Sequence, residues 1–370
     1  MTTKVLVLTT RLNVGGVSRL IINQINQSRN NGIEYVLVTG RCENNEIEDW
    51  KVGSIKCKLI RVNSLSRSIN IYSDLKTLIL LILLFRKLKP DFVHTHMFKA
   101  GLLGRIANLL CLLKLKSIHT YHGELSEGYF GKVKSNTYLQ VEKYLGKFTN
   151  ILVAVSSATK HELFVNGVGK KQQWRVINPG IEINTRRIYR NKVYKHKTVI
   201  WIGRFEKIKD PELAIEVIKK LREIYPFSLR ILMVGDGSER TLIENLNKEH
   251  RLGIKVTGWV RSVKSLIADS NVLFMTSKNE GFGLVALEAA ILGVPTVSTD
   301  TGGIKDFIIN GKSGYIVSKN PGLIAKRIST LLKDNRKSKL IGEEARKRAV
   351  REFSIESYIK KVENLYQAKE

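Results

Sequence analysis

At 370 residues the chain is too long for one ordinary domain and about right for two, and it is large enough to need no disulfide staples. Its 43% hydrophobic and 26% charged residues are those of a soluble globular protein, and the three cysteines, Cys42, Cys57 and Cys111, are odd in number and lack metal-ligand spacing, as expected of thiols in a reducing compartment. The net charge of +29 is spread over both halves, which excludes a charged tail; it suits phosphate-bearing substrates, an anionic membrane surface or nucleic acid, and a solvated lysine-rich surface accounts for it equally well.

Met1 to Lys4 lead straight into the apolar strand Val5-Leu6-Val7-Leu8, so no secretory leader is expected. The longest apolar stretch, Leu78 to Phe85, falls far short of the roughly 20 residues that span a bilayer, and reads as a buried helix closed by Arg86, Lys87 and Pro90. Apolar runs predict strands at 4–9, 34–39, 91–95, 116–120 and 150–155, with helical patterns between them such as Val17, Leu20, Ile21 and Ile25. Continuous apolar strands separated by helices imply parallel sheets covered on both faces. A polar, basic stretch from Asn184 to Lys197 interrupts the rhythm, which restarts with strands at 198–202, 229–234, 254–257, 271–275, 295–298 and 314–317. The expected organisation is therefore an α/β chain of two Rossmann-like domains, 1–185 and 198–352, joined by a linker over 186–197. A final helix over 353–370 carries Ile355, Tyr358, Ile359, Val362 and Tyr366 on one face; it either covers the second sheet or crosses back onto the first domain.

Chemistry-bearing residues cluster where strands end. Gly15 and Gly16 stand at the first strand-to-helix turn, where paired glycines permit positive φ and turn backbone N–H groups toward an anion. Four of the seven histidines follow two strands of the first domain, as His94-Thr95-His96 and His119-Thr120-Tyr121-His122. His122, beside Gly123, is the best placed to reach a ligand, while His94 and His119 read as core. In the second domain a buried strand delivers Gly203 and Arg204 to its carboxyl end, and Lys209 precedes a helix capped by Asp210 with Pro211 in its first turn. Two cations at one strand tip can clamp a diphosphate, with Lys207 a rival for Lys209. Gly235-Asp236-Gly237 imitates a dinucleotide loop but lacks its third glycine and its ribose-reading acid, so a nicotinamide enzyme is only a distant alternative. Glu280-Gly281-Phe282-Gly283-Leu284 forms a glycine-bearing loop that opens a helix, a place where ligands bind in open α/β sheets. Glu288 stands alone in the apolar helix that follows, and needs either an internal ion pair or a ligand such as a ribose diol. No zinc spacing and no Asp-x-Asp motif is present.

Taken together, these motifs resemble the family 4 glycosyltransferases over most of the chain. The likeness rests on Glu280 and Glu288 at the family's E-x7-E spacing, on Gly203-Arg204 with Lys209, on Gly15-Gly16, and on His122. Val155-Ser156, Asn178-Pro179-Gly180, Gly258-Trp259 and Gly302-Gly303 with Asp306 add to it. Asp210, Asp306 and Pro179 depart from the family's usual residues, which blurs the subfamily. The resemblance implies a GT-B fold, with two Rossmann-like domains facing a central cleft, and transfer of a hexosyl or N-acetylhexosaminyl group from a nucleotide-diphosphate sugar to an acceptor hydroxyl with retention. It implies that Arg204 and Lys209 neutralise the leaving diphosphate in place of a metal, with no cofactor. Glu280 and the backbone of Gly281, Phe282, Gly283 and Leu284 would hold the donor sugar, Glu288 the ribose and Gly15-Gly16 the phosphates, and His122 would sit where sugar meets acceptor. A glycan or lipid-linked acceptor in surface polysaccharide or glycolipid assembly follows, with the protein cytoplasmic and peripheral at the inner face of the plasma membrane. Residues 74–88 and 97–116, with Arg86, Lys87, Lys89, Lys99, Arg105, Lys114 and Lys116, are the expected lipid-facing helices. A GT-B nucleotide-sugar epimerase and a polyanion-binding protein are the alternatives; no nucleic-acid-binding pattern is present.

Overall fold

The computed structural model describes residues 2–29, 32–43, 46–123, 132–183, 196–225 and 228–367, with side chains from residue 136 onward in the helix that begins at Lys132. The chain forms two compact units. The first takes the described residues up to Gly180 and resumes at Ile355; the second runs over Ile181–Ser354. The expected linker lies outside the described residues except for His196 and Lys197.

The first unit is built from β1 (Thr3–Thr9), α1 (Gly16–Gln27), β2 (Ile33–Thr39), β3 (Lys58–Arg61), α2 (Ile71–Leu88), β4 (Phe92–His96), α3 (Phe98–Leu110), β5 (Lys116–Tyr121), α4 (Lys132–Gly146), β6 (Ile151–Ala154), α5 (Ser157–Val165) and β7 (Trp174–Val176). Its seven strands are ordered β3-β2-β1-β4-β5-β6-β7 and pair in parallel. Strand side chains alternate between faces, so Val5, Val7 and Phe92 pack on α1, while Leu6, Leu8 and Val93 pack on α2 and α3. β3 and β7 were not expected.

The second unit contains β8 (Lys197–Ile202), α6 (Pro211–Ile224), β9 (Leu229–Val234), α7 (Arg240–Glu249), β10 (Ile254–Val256), α8 (Lys264–Ala268), β11 (Val272–Met275), α9 (Leu284–Ile291), β12 (Thr296–Thr299), α10 (Ile304–Phe307), β13 (Tyr315–Val317), α11 (Pro321–Lys333) and α12 (Asn335–Glu352). Its six parallel strands follow the order β10-β9-β8-β11-β12-β13. The chain enters and leaves this unit side by side: the Ile181 N–H donates to the Phe353 carbonyl over 2.9 Å.

The last helix, α13 (Ile355–Gln367), belongs to the first unit. Ile355, Tyr358, Ile359, Val362, Leu365 and Tyr366 complete the core that β1 and α1 begin. Polar groups on this buried face are matched: Gln24 donates to the Tyr366 oxygen over 3.2 Å and accepts from Tyr358 over 3.3 Å.

Three expectations about surfaces need correction. Residues 78–85 are helical, but only Leu81 and Phe85 face the sheet fully buried, while Ile79, Leu80 and Leu83 are exposed. Lys99 and Arg105 do not face outward. Lys99 is buried against Asp74 at 2.6 Å, and Arg105 grips Glu142 at 2.6 and 2.8 Å while Tyr121 donates to the same carboxylate over 2.6 Å. A guanidinium facing the sheet must be paired, because an unpaired buried charge costs several kcal/mol. The helix expected over 97–116 ends at Leu110. Among the described residues, no helix is long and apolar enough to cross a membrane.

Candidate functional site

In the second unit the carboxyl ends of β8, β9 and β11 carry the expected residues. Gly203 donates its N–H to the Val234 carbonyl over 3.0 Å, which lays the loop after β8 along the end of β9. That contact leaves no room at Gly235, where a β-carbon would stand 1.9 Å from the Gly203 carbonyl oxygen, nor at Gly237, where it would stand 2.5 Å from that of Phe205. The two glycines that imitate a dinucleotide loop therefore serve close backbone packing. The loop then descends through buried Phe205 and Ile208 to Asp210, whose side chain caps α6 ahead of Pro211, as the sequence implies. Thr276 locks this end in place: it donates to the carbonyls of Lys209 and Asp210 (3.0 and 2.9 Å) and accepts from the buried Trp201 indole.

This scaffold brings Lys209, and not Lys207, to the end of β11. The Lys209 ammonium lies 2.5 Å from Glu280 Oε1, while Lys207 is exposed. Glu280 is buried and also accepts from the Ser277 hydroxyl at 2.7 Å. Its carbonyl receives the Gly303 N–H over 2.8 Å, so the glycine pair after β12 helps to hold it. Lys209 is thus one half of an ion pair rather than a free member of a two-cation clamp. Arg204 is half-buried, and its guanidinium has no hydrogen bond or ion pair among the described residues. The trio of Arg204, Lys209 and Glu280 carries one net positive charge, with a carboxylate available to hydroxyls and a guanidinium available to an anion.

Gly283 takes φ 89° at the start of α9, and a β-carbon there would meet Ile304 at 2.6 Å, so only glycine opens this helix. Phe282 turns inward to a cluster with Phe307 and Phe353; it and Gly283 are buried, while Gly281 and Leu284 are half-buried. Glu288, one turn into α9, is half-buried rather than buried and has a partner.

In the first unit, Gly15 precedes α1 in an extended conformation with φ 162°, and neither Gly15 nor Gly16 has a left-handed φ. The expected reason for the glycine pair is corrected by this geometry. A β-carbon at Gly15 would meet nothing nearer than 4.0 Å, so the space beside it is open. No side chain caps α1, and its first turn holds no acid, leaving donors at a positive helix end. The loop is braced from outside: Arg11 pairs with Glu46 at 2.6 Å, Arg19 with Asp49 at 3.2 Å, and Asp49 N–H donates to the Leu12 carbonyl.

The histidines divide between the two faces of the sheet. His119 lies on the α3 side, bonded to Thr95 at 2.8 Å. His94, His96 and His122 share the α13 side. Tyr366, which accepts from Gln24, is hydrogen-bonded to His94 Nδ1 over 2.6 Å, and His94 Nε2 to the Thr120 hydroxyl over 2.7 Å. His96 stacks on His94 with ring centroids 4.3 Å apart, and its Nδ1 meets His122 Nε2 at 2.9 Å. Burial pushes all four imidazoles down, His94 to about 3 and His122 to about 4, and neighbouring imidazoles push His94, His96 and His119 further. Two neutral rings share one proton between His96 and His122, leaving the other nitrogen of His122 without a protein partner among the described residues. Period-two alternation alone groups 94 with 96 and 120 with 122; nothing local signals Tyr366, some 272 residues from His94.

Comparison with known proteins adds the following. Residues 14–185 match the family described as Glycosyltransferase Family 4, and residues 184–348 match Glycosyl transferases group 1. The chain is 28% identical, over 84% of its length and 85% of the other, to the capsular polysaccharide biosynthesis glycosyltransferase CapM of Staphylococcus aureus. It is 27% identical, over 95% and 94%, to the UDP-Gal:alpha-D-GlcNAc-diphosphoundecaprenol alpha-1,3-galactosyltransferase of Escherichia coli. Anabaena Alr3699/HepE, solved with UDP and glucose, superposes with a TM-score of 0.84 over 99% of this chain and all of that one, at 20% identity, a likeness of fold alone.

Proposed function

The chain belongs to the family 4, group 1 glycosyltransferases, and on that premise we propose that it transfers a hexosyl or N-acetylhexosaminyl group from a nucleotide-diphosphate sugar to a hydroxyl of a glycan or lipid-linked acceptor, with retention. The observation that carries the reading is the set of groups at the strand ends: Glu280 tied to Lys209, and on the loop after β8 the Arg204 guanidinium, which has no partner among the described residues. In this reading Arg204 and Lys209 balance the charge that develops as the anomeric carbon–phosphate oxygen bond breaks. A preorganised cationic site of this kind is the largest lever on such a barrier. The acceptor oxygen attacks on the face the leaving group vacates, and its proton passes to a phosphate oxygen of the departing diphosphate. Glu280 and the backbone of Gly281–Leu284 hold sugar hydroxyls, Glu288 the ribose, and the uncapped start of α1 at Gly15-Gly16 phosphate oxygens.

His122 offers the ring nitrogen that has no partner among the described residues to sugar or acceptor as a neutral group. In this reading no divalent metal is needed, because the net positive charge of Arg204, Lys209 and Glu280 takes that electrostatic role. The relatives, one in capsular polysaccharide biosynthesis and one acting on a diphosphoundecaprenol-linked sugar, support surface polysaccharide or glycolipid assembly; the protein in this reading is cytoplasmic and peripheral at the inner face of the plasma membrane. Thermal-shift measurements with UDP-, GDP- and ADP-sugars identify the donor, since a bound ligand raises the melting temperature by mass action. Product NMR against an undecaprenyl-diphosphate sugar acceptor then reads the anomeric configuration. Inverted product overturns the retaining mechanism. An isomerised nucleotide sugar formed without acceptor overturns transfer itself, in favour of an epimerase.

A further inference from the structure

A helix that covers one face of a sheet normally turns a polar side to water, whereas a helix that is apolar all round is covered on both sides. α2 is apolar on both. Thr77, Leu81 and Phe85 point inward and are fully buried. The 3.6-residue period places Tyr72, Leu75, Ile79 and Leu83 opposite them, and these are 86%, 56%, 51% and 55% exposed. The patch continues beyond the helix. Arg86 donates to the Cys111 carbonyl over 3.2 Å, drawing the turn after α3 alongside, where Leu110 and Leu112 are 50% and 83% exposed. An exposed apolar face of this extent marks an interaction surface.

Charge narrows the choice of partner. Lys76, Arg86, Lys87, Lys89 and Lys114 are exposed around the patch. The one acid of α2, Asp74, points inward and is held by Lys99 at 2.6 Å. A second copy docked on this face would set the same cations against each other, because a two-fold interface is self-complementary. We propose that α2 and the turn after α3 form a docking face for an anionic lipid bilayer, with α2 lying in the headgroup plane. Its outward apolar side chains enter the acyl boundary and the flanking cations meet lipid phosphates. The inference deepens the reading of a membrane-peripheral transferase by naming the surface, but its physical case stands on α2 alone.

The test is co-sedimentation of the full chain with phosphatidylcholine vesicles, with and without phosphatidylglycerol. Wild type is expected to bind only the anionic vesicles, and to release as salt shortens the Debye length. Leu75→Ser, Ile79→Ser and Leu83→Ser combined should weaken binding about tenfold or more, and Lys76→Glu with Lys87→Glu should weaken it about as much. All five side chains point outward, so circular dichroism and melting temperature should stay at wild-type values. Wild-type-like binding by either variant, or equal binding to neutral vesicles, overturns the proposal. So does a wild-type dimer in sedimentation velocity that the serine variant converts to monomer, since a second copy is then the occupant. Donor turnover measured without vesicles reports separately on the transferase reading and does not depend on this face.

Discussion

Acid should unfold the first unit well before the second. His94, His96, His119 and His122 are held neutral in the folded state, His94 titrating near 3 and His122 near 4. Unfolded, each returns to about 6.5. Their folded values are depressed, so the unfolded chain binds more protons throughout the interval, and stability is complete above about pH 6.5 and falls with pH below it. At pH 5 an unfolded imidazole is protonated by about 30 to 1, which favours unfolding by about 2 kcal/mol per ring. His94 and His122 together come to about 4 kcal/mol, a large share of a domain's stability, and His96 and His119 act in the same direction. The measurement is urea unfolding at pH 7 and pH 5 in two chains: one with Trp201→Phe and Trp259→Phe, which leaves Trp50 and Trp174 to report on the first unit, and one with Trp50→Phe and Trp174→Phe, which leaves Trp201 and Trp259 to report on the second. The first unit should lose most of its stability, while the second, which holds none of the four rings, keeps its midpoint. Equal midpoints for the first unit at the two pH values would refute the reasoning, because the fold would then hold none of the four rings neutral.

Replacing Arg204 or Lys209 by Ala should lower turnover about 10²–10³-fold, while Lys207→Ala should leave it near wild type; steady-state rates that single out Lys207 would show that the wrong lysine has been assigned. Turnover measured in EDTA should match that in Mg²⁺, and activity restored only by a divalent ion would contradict a cationic clamp. Glu288→Gln should weaken binding of the free nucleotide in calorimetry more than Glu280→Gln does, whereas Glu280→Gln should chiefly lower turnover and sugar discrimination. Gly235→Ala should fail to reach the native fold in circular dichroism, since its β-carbon would overlap the Gly203 carbonyl oxygen.

What was legible in the sequence was whatever depends on neighbours in the chain. The eleven expected strands all form, because continuous Val, Ile and Leu runs bounded by turns have few alternatives to a parallel sheet. β3 and β7 escaped notice because they are short edge strands, the first bounded by Lys58 and Arg61 and the second interrupted by Arg175. The Asp210 cap with Pro211 was readable, and so was the placement of Arg204 and Glu280 at strand ends. The preference for Lys209 over Lys207 was not, because the descent of the loop after β8 is set by Thr276, a residue on another element. The outward face of α2 was misjudged for a related reason: an apolar run does not reveal how many of its sides the fold covers. The glycine pair at the first strand-to-helix turn permits positive φ, but Gly15 takes an extended backbone with open space beside it, which serves the same exposure of N–H groups.

The sharing of one core by β1 and α13 has a consequence for the order of events during synthesis. A ribosome delivers the chain from Thr3 onward, yet the face of β1 and α1 that holds Val5, Leu20 and Ile21 stays uncovered until Tyr358, Ile359 and Tyr366 have been made. The second unit, whose described residues all lie between Ile181 and Ser354, has those parts before then. The first domain to be translated is therefore the last to be finished. Until Tyr366 has been made it presents an open apolar groove to chaperones, and a nonsense codon just after Ser354 would leave that groove open permanently while the second unit folds without hindrance.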